Sequence, residues 1–115
     1  MTPARRMLVA CLSQHLRITP RAATTLAAMY AAHGPVSIPD LMTLTDARSV
    51  EYLRVTLSNL RSGLPAGSVC FQTPAHAYHL SGAGRAFVAE QVTAILRMVE
   101  AETLELAVGD DRMVA

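Results

Sequence analysis

Residues 37–80 read SIPDLMTLTDARSVEYLRVTLSNLRSGLPAGSVCFQTPAHAYHL. Nearly every residue in this run belongs either to a turn signal or to a periodic pattern. Ser37 and Asp40 have the spacing of a capping box, which predicts a short helix over about Pro39–Leu44. After the turn Thr45-Asp46-Ala47, Asp46 is the expected cap of a longer helix from about Ala47 to Ser62. Val50, Leu53, Leu57, Leu60 and then Leu64 recur three and four apart, which predicts one buried stripe. The opposite side carries Arg48, Tyr52, Val55 and Asn59, with Arg54, Ser58 and Arg61 on its flanks. Gly63 closes the helix and Pro65-Ala66-Gly67 turns the chain. Val69, Phe71 and Thr73 then alternate with Cys70 and Gln72, the periodicity of a strand. Pro74-Ala75-His76 forms the expected tip, and Ala77-Tyr78-His79-Leu80 returns with Tyr78 and Leu80 inward and His79 outward. His76 is the one residue of that tip able to become cationic.

Outward from this run, the flanks read as helices. Thr2-Pro3 can start a first helix to about Arg17, with Leu8, Cys11, Leu12, His15 and Leu16 as its apolar stripe and His15 at the core edge. Thr19-Pro20 is a cap followed by proline, predicting a second helix to about His33 that Gly34-Pro35 ends. Val36-Ser37-Ile38 reads as a short strand or an extended lead-in. Ser81 caps a last helix over about Ala83–Leu106, on which Ala89, Val92, Leu96, Val99, Thr103 and Leu106 repeat at alternating three and four. Phe87, Val88 and Ile95 give that helix a second apolar face, and one small domain cannot easily cover both. The heptad-like seam is therefore expected to pair two copies of the chain. A single domain over 1–106, with its core about 19–80 and its C-terminal helix about 83–106, is expected to end in a flexible tail at 107–115.

A chain of 115 residues is about one domain long. All ten basic residues are arginine, a bias expected of a GC-rich coding genome, bacterial or phage, and not by itself a sign of nucleic-acid binding. The distribution of charge says more than the net +1. Residues 1–85 hold eight arginines against Asp40, Asp46 and Glu51, giving +5, and residues 86–115 hold two against six acids, giving −4. A basic body with an acidic C-terminal segment suits a front that faces DNA and a rear that turns toward protein or solvent.

No apolar run approaches the roughly 20 residues of a membrane span, and Arg5-Arg6 are not followed by a cleavage-site pattern. A soluble, cytoplasmic protein with no membrane partner is the expectation. Cys11 and Cys70 have no partner at a metal-ligand spacing and read as buried or half-buried thiols. His76 and His79 lie three apart in a hairpin, where their side chains point to opposite faces, so no metal site is expected. No Ser/His/acid set, paired carboxylates or phosphate-cradling loop is present, and Ser81-Gly82-Ala83-Gly84 reads better as a helix start. Neither catalysis nor a cofactor is expected.

The order short helix, turn, longer helix, hairpin is the layout of a winged helix-turn-helix. The expected fold is mainly α with a small β-hairpin wing and N- and C-terminal helical extensions. The run YLRVTLSNLR from Tyr52 to Arg61, followed by GLPAGSVCFQTPAHAYHLS, resembles the effector domain of OmpR/PhoB-type response regulators. In that family a V-D-V-H-I-S-R-L-R-like helix precedes a turn, a strand and a returning G-Y-R-L strand. Leu53, Val55, Leu57, Ser58, Leu60 and Arg61 fall in register with it, and Tyr78-His79-Leu80 falls where the strand returns. YHLSGAGRAFVAE also looks like the wing-to-helix junction of MarR-like repressors. The resemblance implies base-edge contacts at Arg54, Val55 and Asn59 and phosphate contacts at Tyr52, Thr56, Ser58 and Arg61. It departs from the family pattern where Arg54 replaces an acid, Thr56 a histidine, Asn59 an arginine, and His76 the arginine at the wing tip.

Together these features predict a small homodimeric regulator of transcription that binds double-stranded DNA through the helix at about 47–62. A receiver domain is not expected in the remaining length. The alternative is a winged-helix protein–protein interaction module, a phage or plasmid accessory factor that binds polymerase or another transcription protein. Apolar Val55, acidic Glu51 and the absent wing arginine suit that use.

Overall fold

The computed structural model describes residues 3–32, 34–72 and 76–114, with side chains described at all of these except 4, 5, 72 and 106–114. In chain order the elements are α1 Pro3–Leu16, α2 Pro20–Ala31, β1 Val36–Ser37, α3 Ile38–Thr45, α4 Val50–Gly63, β2 Val69–Gln72, β3 Ala77–Leu80 and α5 Gly82–Val114. The architecture is mainly helical with a small antiparallel sheet, in which β1 joins the expected hairpin to make three strands in the order β1-β3-β2. Val36 and Phe71 lie on either side of Tyr78, and Val69 pairs with Leu80.

Local chemistry sets most of the boundaries. The Ala22 N–H donates to Thr19 Oγ1 at 3.1 Å, and Pro20 occupies the first helical position of α2. The Asp40 N–H donates to Ser37 Oγ at 3.3 Å at the start of α3, one half of the expected capping box. At α5 the Gly84 N–H donates to Ser81 Oγ at 3.0 Å. Gly84 must be glycine, because a Cβ there would sit 2.7 Å from the Ser68 carbonyl oxygen.

The start of α4 corrects the sequence reading. Its cap is Ser49, whose Oγ accepts from the Tyr52 N–H at 3.1 Å, and the helix begins at Val50. Asp46 instead terminates α3 in the left-handed region at φ 54°, a conformation that Asp adopts more readily than most residues. The Ala47 N–H then reaches back to the Met42 carbonyl at 3.1 Å. Arg48 consequently lies in the turn ahead of the helix, and Val50 sits exposed in its first turn.

One core joins Leu26 and Met29 of α2, Leu41 of α3, Leu53, Leu57 and Leu60 of α4, the sheet residues Val69 and Leu80, and Val88 of α5. A second, smaller cluster of Val9, Leu12, Ala23 and Ile95 holds α1 against α2 and α5. Val9 replaces His15 in that contact, since His15 is exposed at the far end of α1. Leu8 and Leu12 lie by Val88 and Val92, and Cys11 and His15 by Ile95 and Val99, so α1 and α5 run parallel. At roughly 1.5 Å per residue, the 33 residues of α5 extend well past the end of α1. The helix passes through 107–114, the positions expected as a tail, and the molecule is 66 Å long. No helix among the described residues is long and apolar enough to cross a membrane.

Candidate nucleic-acid interface

The outer face of α4 is shaped by what its inner face buries. Leu53, Thr56, Leu57 and Leu60 turn to the core, which leaves Tyr52, Val55 and Asn59 along the middle of the outer face. Arg54, Ser58 and Arg61 are exposed on its flanks, and Arg48 is exposed in the preceding turn. Tyr52 and Val55 are 49% and 57% exposed although each carries a large apolar surface. Thr56 does not join them. It is 6% exposed, and its hydroxyl donates to the Tyr52 carbonyl at 3.0 Å, so it cannot reach a phosphate as the family resemblance implied. A hydroxyl satisfied within its own helix can be buried at little cost, which is why a polar residue sits on the apolar stripe.

Two charged contacts organise this face. Arg54 Nη1 lies 3.8 Å from Glu51 Oε1, one turn back on the same helix. Both side chains are well exposed, so water screens the pair and it restrains Arg54 only weakly. Arg21, from the first turn of α2, donates through Nη1 to the Thr45 carbonyl at 3.4 Å and the Asp46 carbonyl at 3.1 Å. Its guanidinium carbon also lies 5.1 Å from the centre of the Tyr52 ring. Arg21 thereby ties α2, the α3–α4 turn and the first turn of α4 together and holds the Tyr52 ring in place. The sequence reading missed it. The available signal was a cation in the first turn of a helix, where the macrodipole disfavours it and another partner must compensate.

The hairpin presents a second surface. Phe71 packs on Tyr78 with ring centroids 4.9 Å apart and meets His76 at 6.0 Å. His76 is exposed and sits at φ 47°. Phe71 is on the inner side by register but near the tip, beyond the reach of the core, and is therefore exposed. Tip positions 73–75 lie outside the described residues. His79 pairs with Cys70 on the face opposite Tyr78 and Leu80, where it is half-buried, and its buried Nδ1 finds no hydrogen-bond partner among the described residues.

On α5 the seam divides. Ala89 and Val92 are half-buried against their own domain, whereas Leu96, Val99 and Thr103 are exposed, and the Leu106 side chain lies outside the described residues. Arg85, one turn into α5, donates to the carbonyls of Tyr30 and Ala32 and so closes the C-terminal end of α2. Cys11 and Cys70 are both half-buried free thiols. Among the described residues no three His, Cys, Asp or Glu side chains gather that could hold a metal ion. Comparison with protein-family models, curated proteins and solved structures gave no match to the chain.

Proposed function

We propose that the protein is a transcriptional regulator of the winged helix-turn-helix class that binds double-stranded DNA as a homodimer, in the cytoplasm of a bacterium or in a phage-infected cell. The observation that carries this reading is the outer face of α4, where Tyr52, Arg54, Val55, Ser58, Asn59 and Arg61 stand exposed on a helix whose other face is buried. The helix–turn–helix order of α3 and α4, followed by the β2–β3 hairpin, supports it. With α4 in the major groove, Arg54 suits guanine and Asn59 adenine through paired hydrogen bonds, while Val55 suits a thymine methyl. On this reading Arg48, Tyr52, Ser58 and Arg61 would contact phosphates and His76 would make the wing's contact.

The test is a gel shift on random-sequence duplex at two salt concentrations, followed by selection of a preferred site. Affinity should fall steeply with salt, because each neutralised phosphate releases counterions. A flat salt response would favour the second reading, in which the same face docks on polymerase or another transcription protein. The exposed Val55 and the Glu51 carboxylate beside Arg54 are the features that speak for it.

A further inference from the structure

The apolar stripe of α5 outruns the domain that covers it. Val88 and Ile95 are buried and Val92 half-buried, all facing α1 and α2. Val99, next in the same three-and-four spacing, is 39% exposed, and its neighbours Leu96 and Met98 are 54% and 50% exposed. The change falls where α1 ends, at Leu16, since His15 is the last α1 residue lining the cleft with Val99 and Glu102. Beyond it the helical backbone continues to Val114. Beside the covered half of the stripe lies an open apolar groove of about 360 Å3, lined by Leu8, Leu12, Ala27, Tyr30, Val88 and Val92. One molecule therefore carries both an uncovered helical segment and an unfilled groove, and Val92 of the groove shares a helix flank with Leu96 and Val99.

We propose that two copies of the chain pair antiparallel along α5, crossing near Val99, so that each lays its 103–114 segment over the α1–α2–α5 groove of the other. With the twofold axis there, 103–114 of one copy run beside 84–95 of its partner. These twelve helical residues span about 18 Å, close to the length of α1. Charge selects this occupant over other apolar partners. Residues 100–114 carry five acids against Arg112, net −4, while residues 1–20 carry Arg5, Arg6 and Arg17 and no acid. Since α1 runs parallel to α5, its N-terminal arginines stand level with the first turns of α5, where the partner's Asp110 and Asp111 would arrive. The pairing deepens the homodimer of the DNA-binding reading by giving its geometry, and it rests on observations remote from α4.

Light scattering on the full chain at tens of micromolar should report a dimer. Leu96→Glu with Val99→Glu, and separately truncation after residue 102, should each give a monomer whose circular dichroism shows the domain still folded. Arg6→Glu should raise the dimer dissociation constant several-fold at low salt and less at high salt. Orientation is read with a spin label at Ala86→Cys, an exposed site, in a Cys11→Ser, Cys70→Ser background. The antiparallel pair places the two labels about 40 Å apart, and a parallel pair would place them about 20 Å apart. A monomeric wild type, a dimer that survives both disruptions, or the shorter label distance would overturn the proposal. Salt-dependent binding of the monomeric variants to random duplex is scored separately, so the DNA reading stands or falls independently.

Discussion

The helices α4 and α5 are both amphipathic, yet their stripes are covered differently: on α4 only Val50, in the first turn, is exposed, and the stripe is buried from Leu53 to Leu64. Leu53, Leu57 and Leu60 are covered from one end to the other because α2, α3 and the sheet surround the helix. On α5, burial stops after Ile95, where α1 runs out. Exposed apolar side chains consequently mean different things on the two helices. Tyr52 and Val55 lie off the stripe of α4, on a face whose helix needs no further cover. Leu96 and Val99 continue the apolar stripe of α5 past its covered part and stay exposed in the single chain.

The strongest way to break this comparison is to remove one leucine from each helix. Leu60→Ala should cost about 2–5 kcal/mol of unfolding free energy, since Leu60 is fully buried and its loss leaves a cavity. Leu96→Ala should cost under about 0.5 kcal/mol in the monomer, as expected of an exposed position, while weakening self-association. Urea denaturation at dilute protein, with light scattering at high concentration, separates the two effects. Equal losses of folding stability would mean that Leu96 is covered within its own domain.

A smaller effect should come from the outer face of α4. Arg54→Ala and Asn59→Ala are each expected to weaken binding to a selected site by roughly 1–3 kcal/mol, with thermal unfolding unchanged. Thr56→Val should leave specificity unaltered, because Thr56 faces inward. Gel shifts on the selected site and on a scrambled duplex measure both. Unchanged binding in the first two variants would take α4 out of the DNA-reading role.

The layout of helices, turn and hairpin was legible in the sequence because caps, glycines and apolar periods agree along residues 37–80. Four details were not, each for a physical reason. Asp46 and Ser49 are both good caps, and choosing between them depends on knowing that α3 ends in a left-handed residue at position 46. Periodicity placed Val50 inside, and the family resemblance placed Thr56 against a phosphate. Val50 is in fact exposed in the first turn of α4, and the Thr56 hydroxyl is satisfied by its own helix. On α5 the pattern marks a seam but not its cover, which is set by where α1 ends. The partners of Arg21 were not legible because the Thr45 and Asp46 carbonyls are some 25 residues away, and its place in the first turn of α2 signals only that some partner is needed. The start of α4 is open to direct test. Ser49→Ala should cost about 1 kcal/mol in chemical denaturation, the usual loss of a serine cap.

The smallest expected effect gives the finest test of the α4 face. Glu51 is its one acid, exposed beside Arg54 in a pair that water screens, so Glu51→Gln should change folding stability by less than about 1 kcal/mol. Its effect on DNA binding should be favourable for two reasons. The substitution frees Arg54 from a competing carboxylate, and it removes a negative charge from a face that meets phosphates. Affinity for random duplex should rise a few-fold at low salt, and the gain should shrink as salt is added. In an Arg54→Ala background the part due to freeing the guanidinium disappears and the part due to repulsion remains, so the gain should be smaller but not zero. If α4 instead docks on a protein whose basic residue pairs with Glu51, the same substitution would weaken that complex and leave duplex binding where it was. An unchanged low-salt affinity would show that Glu51 faces no phosphate, and the exposed face of α4 would then belong to a protein partner.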